Sequence, residues 1–145
     1  MKILKLKSAL ALTFCFFFAA CAQTQKDTST FDQFGGKPGI KKVVDDLMIN
    51  LLANPKISRF FVKINQQNLK SNLEDQFCKA LEGPCEYTGK NMADAHKGME
   101  ITEGHFNALV EDLQKAMDKN GVPERAQNKL LAKLAPLHRD TIEKK

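Results

Sequence analysis

Apolar residues recur every three to four positions through four separate stretches of this sequence, and each stretch is closed by glycine or proline. A chain patterned this way buries its apolar surface as a set of short packed helices. Between Gly39 and Pro55 the apolar positions are Ile40, Val43, Val44, Leu47, Met48, Leu51 and Leu52. Pro38 stands at the start, where a helix tolerates it, and Asn54-Pro55 ends the run. The second stretch carries Leu69, Leu73, Phe77, Ala80 and Leu81 and closes at Gly83-Pro84. The third follows Thr102, an expected N-cap, through Phe106, Leu109, Val110, Leu113 and Met117, stopping before Gly121-Val122-Pro123. The fourth begins at Pro123 with Ala126, Leu130, Leu131 and Leu134, and Pro136 is expected to kink or end it. No useful length alternates with period two, so the expected class is all-α.

The interval from 83 to 101 is different. It is rich in loop residues and carries one short apolar set, Met92, Ala95, His96 and Met99. An irregular segment holding a histidine against a core is a natural place for a site. On pattern alone, a core histidine is the favoured reading of His96, and spacing does not choose between it and His105.

Residues 1–21 read as an export address. Lys2, Lys5 and Lys7 precede an apolar run from Ala9 to Ala20, broken only by Thr13 and ending at Phe18-Ala19-Ala20-Cys21. The run is shorter than the ~20 residues that span a bilayer. Its end is similar to a bacterial lipobox, which makes Cys21 the candidate lipidation site and the membrane a partner through it. Phe18 departs from the usual leucine, which leaves ordinary signal cleavage and an uncleaved anchor open. Residues 22–30 read as a polar tether and 31–145 as one folded domain. The expected location is the periplasm or cell envelope. Without the three leader lysines, 19 basic residues face 17 acidic ones. That balance gives no reason to expect a nucleic-acid partner.

Several short motifs fall in a telling order: Phe34-Gly35-Gly36, Val43-Val44-Asp45-Asp46, Phe60-Phe61, Gly83-Pro84, Tyr87-Thr88-Gly89, Met92-x-x-Ala95-His96-x-Gly98, Ile101-Thr102-x-x-His105-Phe106 and Gly121-Val122-Pro123. Together, from Phe31 to about Ile142, they resemble the group I truncated haemoglobins. The resemblance implies a two-over-two globin fold around a haem b that binds a diatomic gas. In that family the histidine of the Ala-His pair ligates iron, which implies this role for His96. It also implies haem contacts from Phe61, Leu69, Leu73, Phe77, Met92, Ile101 and Phe106. The chemistry agrees, since iron takes a neutral imidazole nitrogen and an apolar pocket keeps imidazole neutral.

The distal side departs from the family. Met48 stands where a tyrosine is usual, and Leu69 and Leu73 where glutamines are common. Asn72 is the one amide the sequence suggests nearby. Such a pocket donates no hydrogen bond from Met48, Leu69 or Leu73, so oxygen is expected to leave faster than from a polar pocket, and carbon monoxide and nitric oxide to be relatively favoured. Met48 as a weak thioether ligand to iron is a further alternative.

Once Cys15 and Cys21 are assigned to the leader, Cys78 and Cys85 remain, either bridged or as free thiols. The sequence has no Cys-x-x-Cys-His, which argues against covalent haem. Other readings kept open are nitric-oxide dioxygenation or peroxidase-like turnover with an unidentified reductase, electron transfer at the envelope, and a haem-free interaction module. No distal acid–base pair supports turnover.

Overall fold

The computed structural model describes residues 28–142. The leader, Cys21 and tether residues 22–27 lie outside the described residues, as do 143–145 of the expected domain. Among the described residues seven α-helices follow in order: α1 (Thr30–Gln33), α2 (Gly36–Ala53), α3 (Gln66–Ala80), α4 (Met92–His96), α5 (Glu103–Lys119), α6 (Glu124–Leu134) and α7 (His138–Thr141). Single 3-10 turns occur at Ser58–Phe60 and Ala135–Leu137. There are no strands among the described residues.

The four long helices sit where the apolar periodicity places them. α2 opens earlier than expected, at Gly36, so Pro38 falls within its first turn, where no backbone N–H is lost from the ladder. α5 is capped at Thr102, and α6 follows Pro123. Pro136 stops the last run as a 3-10 turn before α7 restarts it. The tether boundary drawn at residue 30 falls inside α1. Thr30 opens that helix, and Ser29 caps it through its side-chain oxygen and the Asp32 N–H.

α2 is the central element. Ile40, Val43, Val44, Leu47, Met48 and Leu51 are all buried, and the helix packs against α5 on one side and α3 on the other. α6 packs against α3, and α4 against α7. One core cluster unites the buried faces, including Phe77, Leu113, Met117, Ala126 and Leu130. Gly39 is required by close approach. A Cβ there would lie 1.7 Å from the Phe34 carbonyl oxygen, so the α1–α2 corner can close only on glycine.

Polar pins fix the pairings. Asp112 on α5 is 2% exposed, and its carboxylate accepts from Asn54 Nδ2 at 2.6 Å and Lys115 Nζ at 3.0 Å. Its carbonyl accepts from Asn50 Nδ2 at 3.0 Å, so the end of α2 is clamped to α5. The Asp45-Asp46 pair, noticed above only as part of a motif, ties α2 to both neighbours. Asp45 pairs with Lys41 and with Lys70 of α3, and Asp46 accepts from Lys119 Nζ at 2.6 Å and Asn120 Nδ2 at 2.8 Å.

Hydrogen bonding from Lys119, then Asn120, holds the Asp46 carboxyl below its usual 3.8, and Lys41 and Lys70 do the same for Asp45. A carboxyl depressed in the folded state contributes stability above its unfolded value and loses it as pH falls through the folded one. Asp46→Asn is therefore expected to be less stable than the native chain at pH 7. The difference should narrow once pH drops below 3.8, the unfolded value. Urea unfolding at stepped pH checks this, and a gap that widened in acid would contradict it.

Candidate functional site

His96 is the last residue of α4, a five-residue helix reached through a loop that leaves α3 at Leu81. That loop is held at two points. A disulfide joins Cys78, near the end of α3, to Cys85, with the Cα atoms 5.8 Å apart, which is the bridged alternative for these cysteines. Farther on, Tyr87 donates its hydroxyl to the Lys90 carbonyl at 2.7 Å, and burial pushes its phenol above the usual range. Gly89 lies against the same ring, where a Cβ would fall 2.5 Å from the hydroxyl. Asn91 then caps α4, its side-chain oxygen accepting the Asp94 N–H at 2.8 Å.

The His96 ring is half-buried, with Nδ1 2.8 Å from the Met92 carbonyl oxygen. An Nδ1–H donating to that carbonyl fixes one tautomer and leaves Nε2 with its lone pair as a metal donor. A ring held this way could serve as the protein's single ligand to a metal-bearing group. Among the described residues no group of three His, Cys, Asp or Glu side chains could hold a metal ion by itself.

The expected lining residues divide by burial. Phe77 (3% exposed) and Ile101 (8%) are sealed, whereas Phe61, Leu69, Leu73, Met92 and Phe106 are half-buried. Phe61, Leu69 and Leu73 pack on the core from their partly exposed positions. Met48 is 4% exposed and belongs to the core cluster. Asn72 is half-buried on α3, one position before Leu73.

Gln76 was missed by sequence reasoning and His138 left without a role, whereas His105 was expected to pack or to cap its helix. Gln76 on α3 places Nε2 3.8 Å from the Met92 sulfur, so Asn72 is not the only amide close to the expected lining residues. Its spacing from Leu69 and Leu73, on the same helical face, was the available signal. His105 accepts the Thr102 N–H on Nδ1 at 3.2 Å in a capping box, and its ring meets Phe60 edge-on at 5.1 Å. It is thus occupied by structure. His138 opens α7 and packs edge-on against Phe106, with ring centroids 4.7 Å apart. His96 also lines a groove with Ala93, Asp94, Lys97 and the residues from Arg139 to Ile142.

Comparison with known proteins accounts for this arrangement. Residues 29–143 match the family described as bacterial-like globin. The group 1 truncated hemoglobin GlbN of Mycolicibacterium paratuberculosis is 35% identical over 109 residues, covering 75% of this chain and 80% of that protein. A group 1 truncated hemoglobin of Tetrahymena thermophila is 32% identical over 101 residues, covering 70% of this chain and 84% of its own. Among solved structures, the Fe(III) form of the truncated hemoglobin from Tetrahymena pyriformis superposes with a TM-score of 0.76 at 27% identity. It covers 81% of this chain and 100% of that one.

Proposed function

The chain belongs to the bacterial-like globin family, and we infer from that membership and from the site that it is a haem-binding truncated globin that reversibly binds diatomic gases, with His96 as the protein's ligand to iron. The observation that carries the assignment of His96 is its Nδ1–Met92 carbonyl contact at 2.8 Å, which leaves Nε2 for the metal. The residues present fit haem b. One imidazole is oriented, and half-buried apolar side chains from α3, α5 and the segment after α2 (Leu69, Leu73, Phe106 and Phe61) supply surface for a large apolar ring. When bound, the haem supplies the iron at which a gas is held.

The chain's own residues do the rest. His96 is steadied from behind by Met92, and Met92 is in turn contacted by Gln76 of α3. Phe61, Phe77 and Ile101 exclude water from the apolar side of the site. Met48, Leu69 and Leu73 offer no hydrogen-bond donor to a polarised ligand. Tight retention of oxygen, which nitric-oxide dioxygenation needs, is not favoured by such a pocket, so gas binding is the leading reading and turnover the weaker one.

Titrating the purified domain with haemin is expected to give a Soret band saturating at one haem per chain, and the reduced protein should shift on adding carbon monoxide. A reduced spectrum already six-coordinate would show an internal sixth ligand, and its loss in Met48→Leu would place Met48 on the iron. Failure to saturate at all would overturn the haem reading.

Export and anchoring are part of the same proposal. Lys2, Lys5 and Lys7, the apolar run and Cys21 support an envelope globin held by lipid at Cys21. Mass analysis of the cell-derived N-terminal peptide should find it starting at an acylated Cys21. An intact peptide from Met1 in the mature protein would refute processing.

A further inference from the structure

We propose that the segment from Pro55 to Ile64 is a membrane-contacting surface that rests on anionic lipid headgroups. From Leu47 to Leu73 the sequence contains no carboxylate, while it holds Lys56, Arg59, Lys63 and Lys70. The three exposed large apolar side chains among the described residues all fall within that stretch: Ile49 at 60%, Val62 at 54% and Ile64 at 43%. Lys70 is engaged with Asp45, but Lys56, Arg59 and Lys63 enter no ion pair among the described residues.

The segment is held in shape. Ile57 is 1% exposed and anchors it to the core, and the 3-10 turn is closed by Phe60 N–H on the Ile57 carbonyl at 3.0 Å and Phe61 N–H on the Ser58 carbonyl at 2.9 Å. The Arg59 guanidinium lies 4.7 Å from the centre of the Phe60 ring. Val62, Lys63 and Ile64 follow as consecutive exposed residues. α3 then starts at Gln66 with no acid in its first turn, so the positive end of its dipole adds to the same field.

Exposed apolar side chains interleaved with cations complement a boundary that is itself both apolar and anionic. At such a boundary valine and isoleucine enter the headgroup layer and the cations meet phosphates. A soluble acidic protein would satisfy the charges but give Val62 and Ile64 no such layer. The chain outside the structure favours the same occupant. If Cys21 is the anchor, the nine steps from it to Thr30 can hold α1 no farther than roughly 32 Å from it. That supporting point rests on the export reading. The surface itself does not, nor does it depend on haem. Its consequence does: Phe61, expected to help hold the haem, adjoins Val62, so contact would set that residue beside a bilayer, in which apolar gases dissolve.

The test uses the chain from Ala22 onward, which keeps every described residue and the whole matched globin region, 29–143. It is sedimented with vesicles of phosphatidylcholine alone and of phosphatidylcholine mixed with phosphatidylglycerol. Binding is expected to the mixed vesicles, with much weaker binding to the neutral ones. Val62→Ser with Ile64→Ser should weaken it about tenfold or more. Lys56→Gln with Arg59→Gln and Lys63→Gln should weaken it on the order of a hundredfold. Circular dichroism of each variant shows whether the helices are kept, as expected for exposed positions. No binding to the mixed vesicles overturns the proposal, as does binding that both variants retain. Salt-sensitive binding indifferent to Val62 and Ile64 would be adsorption by net charge, and retention on polyglutamate in preference to vesicles would mean a protein partner. Either result overturns the proposal too.

Discussion

Replacing His96 by alanine is expected to remove iron ligation while leaving the helices in place. The residue ends a five-residue helix, is only half-buried, and its side chain bonds to the Met92 carbonyl in the preceding turn, so the fold loses little with it. No other histidine among the described residues is placed to substitute. His105 is committed to the cap of α5 and the face of Phe60, and His138 packs on Phe106. Haem affinity should fall about a thousandfold, equivalent to ~4 kcal/mol. What haem remains should lack the spectrum of an imidazole-ligated form, and added free imidazole should restore it. Unchanged Soret and carbon monoxide spectra in the variant would remove His96 from the site.

The second large effect concerns the opposite face. Leu69→Gln with Leu73→Gln should slow oxygen dissociation strongly and leave carbon monoxide dissociation nearly unchanged. Each glutamine introduces a donor toward a ligand that is charge-like when oxygen is held, a contact worth roughly 1.5–3 kcal/mol. Two such donors together correspond to about a hundredfold in off-rate or more. Both leucines are half-buried on α3, so the amides can be accommodated without burying an unsatisfied polar group in the sealed core. One N–H of Gln76 is already directed at the Met92 sulfur. Stopped-flow displacement of oxygen by carbon monoxide measures the change. An unaltered oxygen off-rate in the double variant would mean that Leu69 and Leu73 do not face the gas.

The long helices were legible because their burial follows local periodicity. Every buried apolar residue of α2 lies on the stripe that its spacing defines, and the ends fall at prolines, glycines and a threonine cap. The short elements were not, since α1, α7 and the turn at Ser58–Phe60 are too brief to show a period. At the site, the motifs singled out His96 through resemblance, while spacing by itself left His96 and His105 equal. They are separated by what each nitrogen meets: a backbone N–H donates to Nδ1 in His105, whereas in His96 Nδ1 faces a carbonyl.

Local sequence therefore determined which segments are helices and which faces they bury, because both depend on residues within a turn or two of one another. The tertiary structure alone decided that Asp112 clamps the end of α2, that Gln76 reaches Met92 and that Val62 and Ile64 stay outside the core. Those outcomes depend on partners brought together by helix packing across large sequence separations, and neither periodicity nor composition carries that information.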